Sequence, residues 1–233
     1  MSIAITEDHR ALADTAADLL AKRDARGAAR ALLEAPDEPL PDLWKDLAGL
    51  GWLGLHIPEE HGGSGFTLEE LAVVLEALGR AVAPGPFVPS VIASAVIAAA
   101  GDDATKGDLL PGLADGSVVG AVALGGDVTI SGGTASGNAG NVLGGGLAQV
   151  LLVASGDDVA VVRVGDGVNV EVPANLDPTR RTARITLDGA AATVLPGARQ
   201  TLVDLARVIL SAEAAGMARE CTEMAASYAK ERL

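Results

Sequence analysis

The chain has 233 residues, 49% hydrophobic and 21% charged, with a formal net charge of −14. That length suits one large domain or two small ones, and the composition is that of a folded protein. The acidity argues against nucleic acid or an anionic membrane as partner and is consistent with a soluble surface. Aromatic residues make up only 2%, so the core must be built from Ala, Val, Leu and Ile. The single cysteine, Cys221, has no internal disulfide partner. It falls in a helical pattern, where a buried small apolar residue is expected.

The first part reads as helical. Residues Thr6 to Glu34 carry Leu12, Ala16, Leu19, Leu20 and Ala21 near one stripe, which predicts one amphipathic helix. Pro36, Pro39 and Pro41 break it. A second helix is expected over Leu40 to Leu50, closed by Gly51. An apolar strip from Leu53 to Ile57 follows, then Pro58, Glu59, Glu60, His61 and a glycine turn, Gly62 to Gly65. Thr67 with Glu70 three residues on is a capping box for a helix over Leu68 to Val82. Val88 to Ala100 is apolar on every side and predicts a buried helix too short to span a bilayer. A short helix ending near Leu110, with a turn at Pro111-Gly112, completes this part.

The periodicity then changes. Strands are expected at Val118 to Leu124, Val150 to Ala154, Val159 to Val164, Val168 to Val172 and Arg184 to Leu187. Further short strands fit the Gly, Ser, Thr and Asn-rich stretch from Gly125 to Gly146. Together they predict a small β-domain, a barrel or a sandwich. From Arg199 to Leu233 a helical period returns, with Gly216 as its one breaker; at about 1.5 Å per residue such a helix is some 50 Å long. The class is therefore α+β. An amino-terminal helical domain spans residues 1–116, a middle β-domain residues 117–196, and a long helix residues 197–233.

Gly51-Trp52, Ile57-Pro58-Glu59-Glu60, Gly62-Gly63-Ser64-Gly65 and the Glu-rich helix after Thr67 stand in one order and spacing. This run resembles the amino-terminal helical domain of the acyl-CoA dehydrogenase family. The order of helical domain, β-domain and long helix is similar as well, with the clearest matches at 42–85, 176–195 and 201–232. The resemblance implies FAD as cofactor, an acyl-CoA thioester from fatty acid or steroid catabolism as substrate, and α,β-dehydrogenation as the reaction. It also implies a homo- or hetero-oligomer with a related subunit. The acidic charge predicts no nucleic acid and no membrane as partner, and an amino terminus unlike a signal peptide, with apolar runs too short for a bilayer, predicts a cytoplasmic protein. The family's catalytic base, a glutamate, lies in a second helical domain that would begin at the long helix and run on past Leu233 through Gln-Phe-Gly. The chain is therefore expected to be an incomplete member, and no catalytic residue is assigned in it.

By resemblance, Asp204 and Arg207 stand for the Asp and Arg that the family places near the CoA end of the substrate. Residues three apart share a helix face, and an Arg can hold a phosphate or carbonyl while an Asp orients it. Arg232, in Tyr228-Ala229-Lys230-Glu231-Arg232, stands for the Arg that contacts the pyrophosphate of a flavin held by a neighbouring subunit. Leu124, Gly125 and Gly126 occupy the place of the family's flavin-lining Leu-Thr-Glu-Pro segment. Leu143 to Gln149, with Gly144-Gly145-Gly146, occupies the place of its aromatic strip. Glycine amides can bind a ring carbonyl or a phosphate. No metal set is expected, because the three histidines are scattered. The alternative to an enzyme subunit is a partner of the same fold that holds little or no FAD by itself.

Overall fold

The computed structural model describes residues 5–231. Six helices come first: α1 (Glu7–Lys22), α2 (Ala25–Ala31), α3 (Leu43–Gly49), α4 (Leu68–Ala81), α5 (Phe87–Ala100) and α6 (Asp103–Ala114). Seven strands follow: β1 (Gly120–Ala123), β2 (Asp127–Ser131), β3 (Thr134–Leu143), β4 (Val150–Ser155), β5 (Asp158–Arg163), β6 (Val168–Glu171) and β7 (Thr182–Leu195). Helix α7 (Arg199–Glu231) closes the chain. The α+β architecture agrees with the expectation from sequence, and three local readings need correction.

The first helix is two. Asp24 adopts a left-handed conformation (φ 45°), and its side chain accepts a hydrogen bond from the Gly27 amide, so it caps a new helix. The apolar strip from Leu53 to Ile57, given no conformation from sequence, begins as a tight turn of helix. Gly51, at φ 72°, turns the chain into a one-turn 3-10 helix that buries Trp52, Leu53 and Gly54. Helix α6 runs through Pro111 to Ala114 instead of stopping at Leu110. Finally, Arg184 to Leu187 is only part of the first half of a 14-residue strand.

The capping box at Thr67 is formed. The Thr67 hydroxyl accepts from the Glu69 amide, and the Glu70 carboxylate accepts from the Thr67 amide. Burial pushes the Glu70 carboxyl up, but the Thr67 hydrogen bonds outweigh it and hold the group at about 2. Helix α5 is buried along most of its length, from Phe87 to Ile97. It lies against β1, where the Ser90 hydroxyl donates to the Gly120 carbonyl at 3.2 Å.

The strands form one sheet in the order β1-β4-β5-β7-β3-β2, with β6 paired to β7. Only β1–β4 is a parallel pair. Strand β7 is long enough to serve two layers. Its first part pairs with β3 and β6, and its last residues pair with β5. The sheet curls through that shared strand, and its two layers enclose Ala121, Ala135, Val142, Leu151, Val153 and Ile185.

Alternation on β4 explains how the two cores join. Leu151 and Val153 face into the curl, while Val150, Leu152 and Ala154 face the helices. Both faces are covered, so β4 reads as an unbroken apolar run. The helix-side core takes in Trp44, Leu47, Leu71, Leu75, Val91 and Ile97, and also Leu202, Ala206 and Ile209 of α7. The Trp44 indole N–H donates to the Gly116 carbonyl at 2.9 Å, which pins the end of α6 to α3.

Candidate functional site

Helix α7 carries the first pair of expected site residues. Its buried stripe is Leu202, Ala206, Ile209, Glu213 and Gly216, at spacings of four and three. Asp204 and Arg207 fall off that stripe and face outward, with side chains 58% and 72% exposed. The Arg207 guanidinium donates to the Asp204 carboxylate at 3.3 Å, and Gln200 donates to the other carboxylate oxygen at 2.9 Å. An exposed pair of this kind contributes little to stability. It does present a fork of N–H donors already oriented by a carboxylate.

Leu124, Gly125 and Gly126 form the turn between β1 and β2. Leu124 is exposed, and a β-carbon on Gly125 would meet nothing within 4 Å. Gly126 is held at φ 118°, where a β-carbon would stand 2.2 Å from the Asn138 carbonyl oxygen. Among the described residues no side-chain hydrogen bond or ion pair links this turn to Asp204 or Arg207. Arg232 lies outside the described residues.

The second glycine turn, after β3, is closed on itself. The Gly144 amide donates to the Arg181 carbonyl at 2.9 Å, Gly145 to Val142 at 3.1 Å, and Leu147 to Gly144 at 3.0 Å. Three of its amides are therefore committed to the fold. No aromatic residue lies anywhere in 117–196; the five in the chain are Trp44, Trp52, Phe66, Phe87 and Tyr228. These residues do not fit an isoalloxazine ring. The wall offers no aromatic face to stack on, and three amides of the second glycine turn are already engaged.

Cys221 is exposed, against the expectation that it is buried. The reason is the course of α7. Its buried stripe ends at Gly216, and every described residue from Cys221 onward is exposed.

Sequence reading missed a cluster between the layers. Arg180 pairs with Glu213, whose side chain is buried in the α7 stripe. Arg181 donates to the Ala35 and Pro36 carbonyls at 2.6 and 2.7 Å, and its amide donates to the Glu38 carboxylate at 3.1 Å. Burial pushes the Glu38 carboxyl up, with the Arg181 amide opposing it. Two signals were available: a Thr-Arg-Arg run following Asp-Pro, and a lone glutamate at a core position of α7.

His56 is enclosed beside α5. Its Nε2 lies 2.9 Å from the Ser94 hydroxyl, and its Nδ1 is buried without a hydrogen-bond partner. Burial pulls it down to about 4, so the ring is neutral at pH 7. Among the described residues no group of three His, Cys, Asp or Glu could hold a metal ion. Among them, too, no helix is long and apolar enough to cross a membrane.

Comparison with known proteins places this architecture. Residues 6–117 match the family model "Acyl-CoA dehydrogenase, N-terminal domain". Acyl-CoA dehydrogenase IpdE2 of Mycolicibacterium smegmatis is 30% identical over 230 residues, 98% of this chain and 67% of that protein. The chain belongs to the acyl-CoA dehydrogenase family. Acyl-CoA dehydrogenase FadE34 of Mycobacterium tuberculosis is 36% identical over 203 residues, 84% of this chain but 28% of that protein. Among solved structures, the ChsE4-ChsE5 complex from Mycobacterium tuberculosis superposes with a TM-score of 0.89 at 25% identity, covering 100% of this chain and 69% of that one. The Tcur3481-Tcur3483 steroid ACAD, solved as a point variant, gives 0.86 at 30% identity, covering 99% and 68%. The chain thus spans 28% of FadE34 and about two thirds of the other proteins named here.

Proposed function

We propose that this chain is one subunit of an FAD-dependent acyl-CoA dehydrogenase assembly, taking part in α,β-dehydrogenation of a CoA thioester. In this reading residues 1–116, 117–196 and 197–233 are a helical domain, a β-domain and the opening helix of a second helical domain. Family membership supports the reaction class, since its members are FAD flavoproteins. The observation that carries this chain's own share is the outward Asp204–Arg207 pair on α7. Arg207 would hold a phosphate or thioester oxygen at the CoA end, and Asp204 would keep its guanidinium turned to it.

The substrate reading is a bulky, steroid-type acyl-CoA, supported by the relative described as a steroid ACAD. The oligomer reading is a complex with a related subunit, supported by the two-component neighbours. In this reading the site of action is the cytoplasm.

A second reading has a specific observation behind it. The closed glycine turn and the aromatic-free β-domain favour a subunit that holds little FAD alone and completes the site of an active neighbour.

Titration calorimetry with CoA on the wild type and on Arg207→Gln tests the CoA reading. The expected result is binding that weakens at least about tenfold in the variant, the equivalent of ~1.4 kcal/mol. Equal affinity in the two proteins, or no binding by either, contradicts it.

A further inference from the structure

The two arginines at the start of β7 face different parts of the molecule. Arg180 reaches α7, where it pairs with Glu213. Arg181 reaches the segment between α2 and α3, where its guanidinium holds the Ala35 and Pro36 carbonyls and its amide meets Glu38. The Arg181 carbonyl in turn accepts from Gly144 in the second glycine turn. One residue thus ties a helical-domain linker, by its side chain and amide, to a β-domain turn, by its carbonyl.

The loop leading into these arginines is itself ordered. Asn175 accepts from the Thr182 amide at 2.8 Å and donates to the Pro173 and Thr182 carbonyls at 2.9 and 3.1 Å. Asp177 accepts from the Thr179 amide and hydroxyl at 2.9 and 2.6 Å. A stiffened loop transmits displacement instead of absorbing it. The Gly144 turn has little slack: a β-carbon there would lie 3.1 Å from Pro89 and 3.3 Å from Pro86, both on the helical side.

We propose that Arg180 and Arg181 form an interlayer clasp that couples the 34–38 linker, α7 and the Gly144 turn, so that releasing the linker loosens a turn it does not touch. Residues 180 and 181 are positioning residues in this role. The clasp sets the place of the glycine turn against α7, and it does so whether or not the chain holds a flavin.

Hydrogen exchange by mass spectrometry on the whole chain tests this. Wild type, Arg181→Ala and Arg181→Lys are compared, with peptides covering 33–41, 142–148, α4 and β4–β5. For Arg181→Ala the coupling predicts at least about tenfold faster exchange at both 33–41 and 142–148, with α4 and β4–β5 unchanged. A lysine keeps the charge but replaces the rigid guanidinium fork with a compact ammonium on a flexible stem, so Arg181→Lys falls between. Faster exchange at 33–41 alone overturns the coupling, as does an equal rise everywhere. If Arg181→Ala does not fold, Glu38→Ala removes only the linker's carboxylate. It must also speed exchange at 142–148, and an unchanged turn overturns the proposal.

Discussion

Gly216 of α7 sits so close to α4 that a β-carbon there would stand 2.0 Å from the Glu76 carbonyl oxygen. The contact is reciprocal: a β-carbon on Gly79 of α4 would stand 2.1 Å from the Glu213 carbonyl oxygen of α7. Two glycines thus set how near the long helix comes to the helical domain. In an isolated helix, replacing either by alanine would gain up to about 1 kcal/mol. Here overpacking outweighs that gain. Gly79→Ala and Gly216→Ala are each expected to destabilise the protein by roughly 1–3 kcal/mol, read as a lower midpoint in urea. A midpoint equal to or above wild type for both would mean the helices can separate freely.

The Arg180–Glu213 pair predicts an asymmetric mutant cycle. Arg180→Ala leaves a carboxylate buried without its partner, at about 3–5 kcal/mol. Replacing both, as Arg180→Met with Glu213→Leu, removes the stranded charge and is expected to recover most of that loss. Urea unfolding of the two singles and the double measures it. A double variant no better than Arg180→Ala would show that the pair adds more than it costs to bury.

His56 gives a pH dependence with a defined sign. Its folded value is about 4, below the ordinary 6.5. The unfolded chain therefore takes up its proton first as pH falls. The contribution is whole above about pH 6.5 and is lost as pH drops towards 4. Its size is on the order of 1–3 kcal/mol. Unfolding of the wild type and His56→Gln across this range should show a steeper fall for the wild type. Parallel curves would mean His56 is reached by water.

Glu70 acts in a lower window. Its folded value of about 2 lies below the ordinary 4.5. Its contribution stands above pH 4.5 and is lost as pH falls towards 2. Thr67→Ala removes the cap that holds it and should cost about 1 kcal/mol at pH 7. It should also flatten the acid limb below pH 4.5. An unchanged acid limb would remove Thr67 as the source of the Glu70 shift.

The sequence was most informative where a pattern is local. The Thr67 capping box, the all-apolar α5 and the two-period switch near residue 117 depend on neighbours in the chain, and each appears in the structure. The break at Asp24 was hidden because an apolar stripe continues across a residue in a left-handed conformation. Cys221 was misplaced because periodicity shows that a helix has a face, not where its partner helix ends. The full length of β7 was obscured by Gly189 and a run of alanines, weak strand formers that pairing with β3 and β5 overrides. Asp204 and Arg207 were named through the family resemblance; their spacing alone fits any exposed helical ion pair. The clasp joins Arg180 to Glu213, 33 positions away, and Arg181 to Glu38, 143 positions away, and only the fold brings them together.

The β-domain of this acyl-CoA dehydrogenase fold has no aromatic side chain to stack on a flavin ring. The direct measurement is the visible absorption spectrum of the purified, desalted chain after incubation with excess FAD. Little or no flavin band relative to protein is the predicted result, with a band appearing only when a related subunit is present. A band near one flavin per chain, retained by this chain alone, would contradict it.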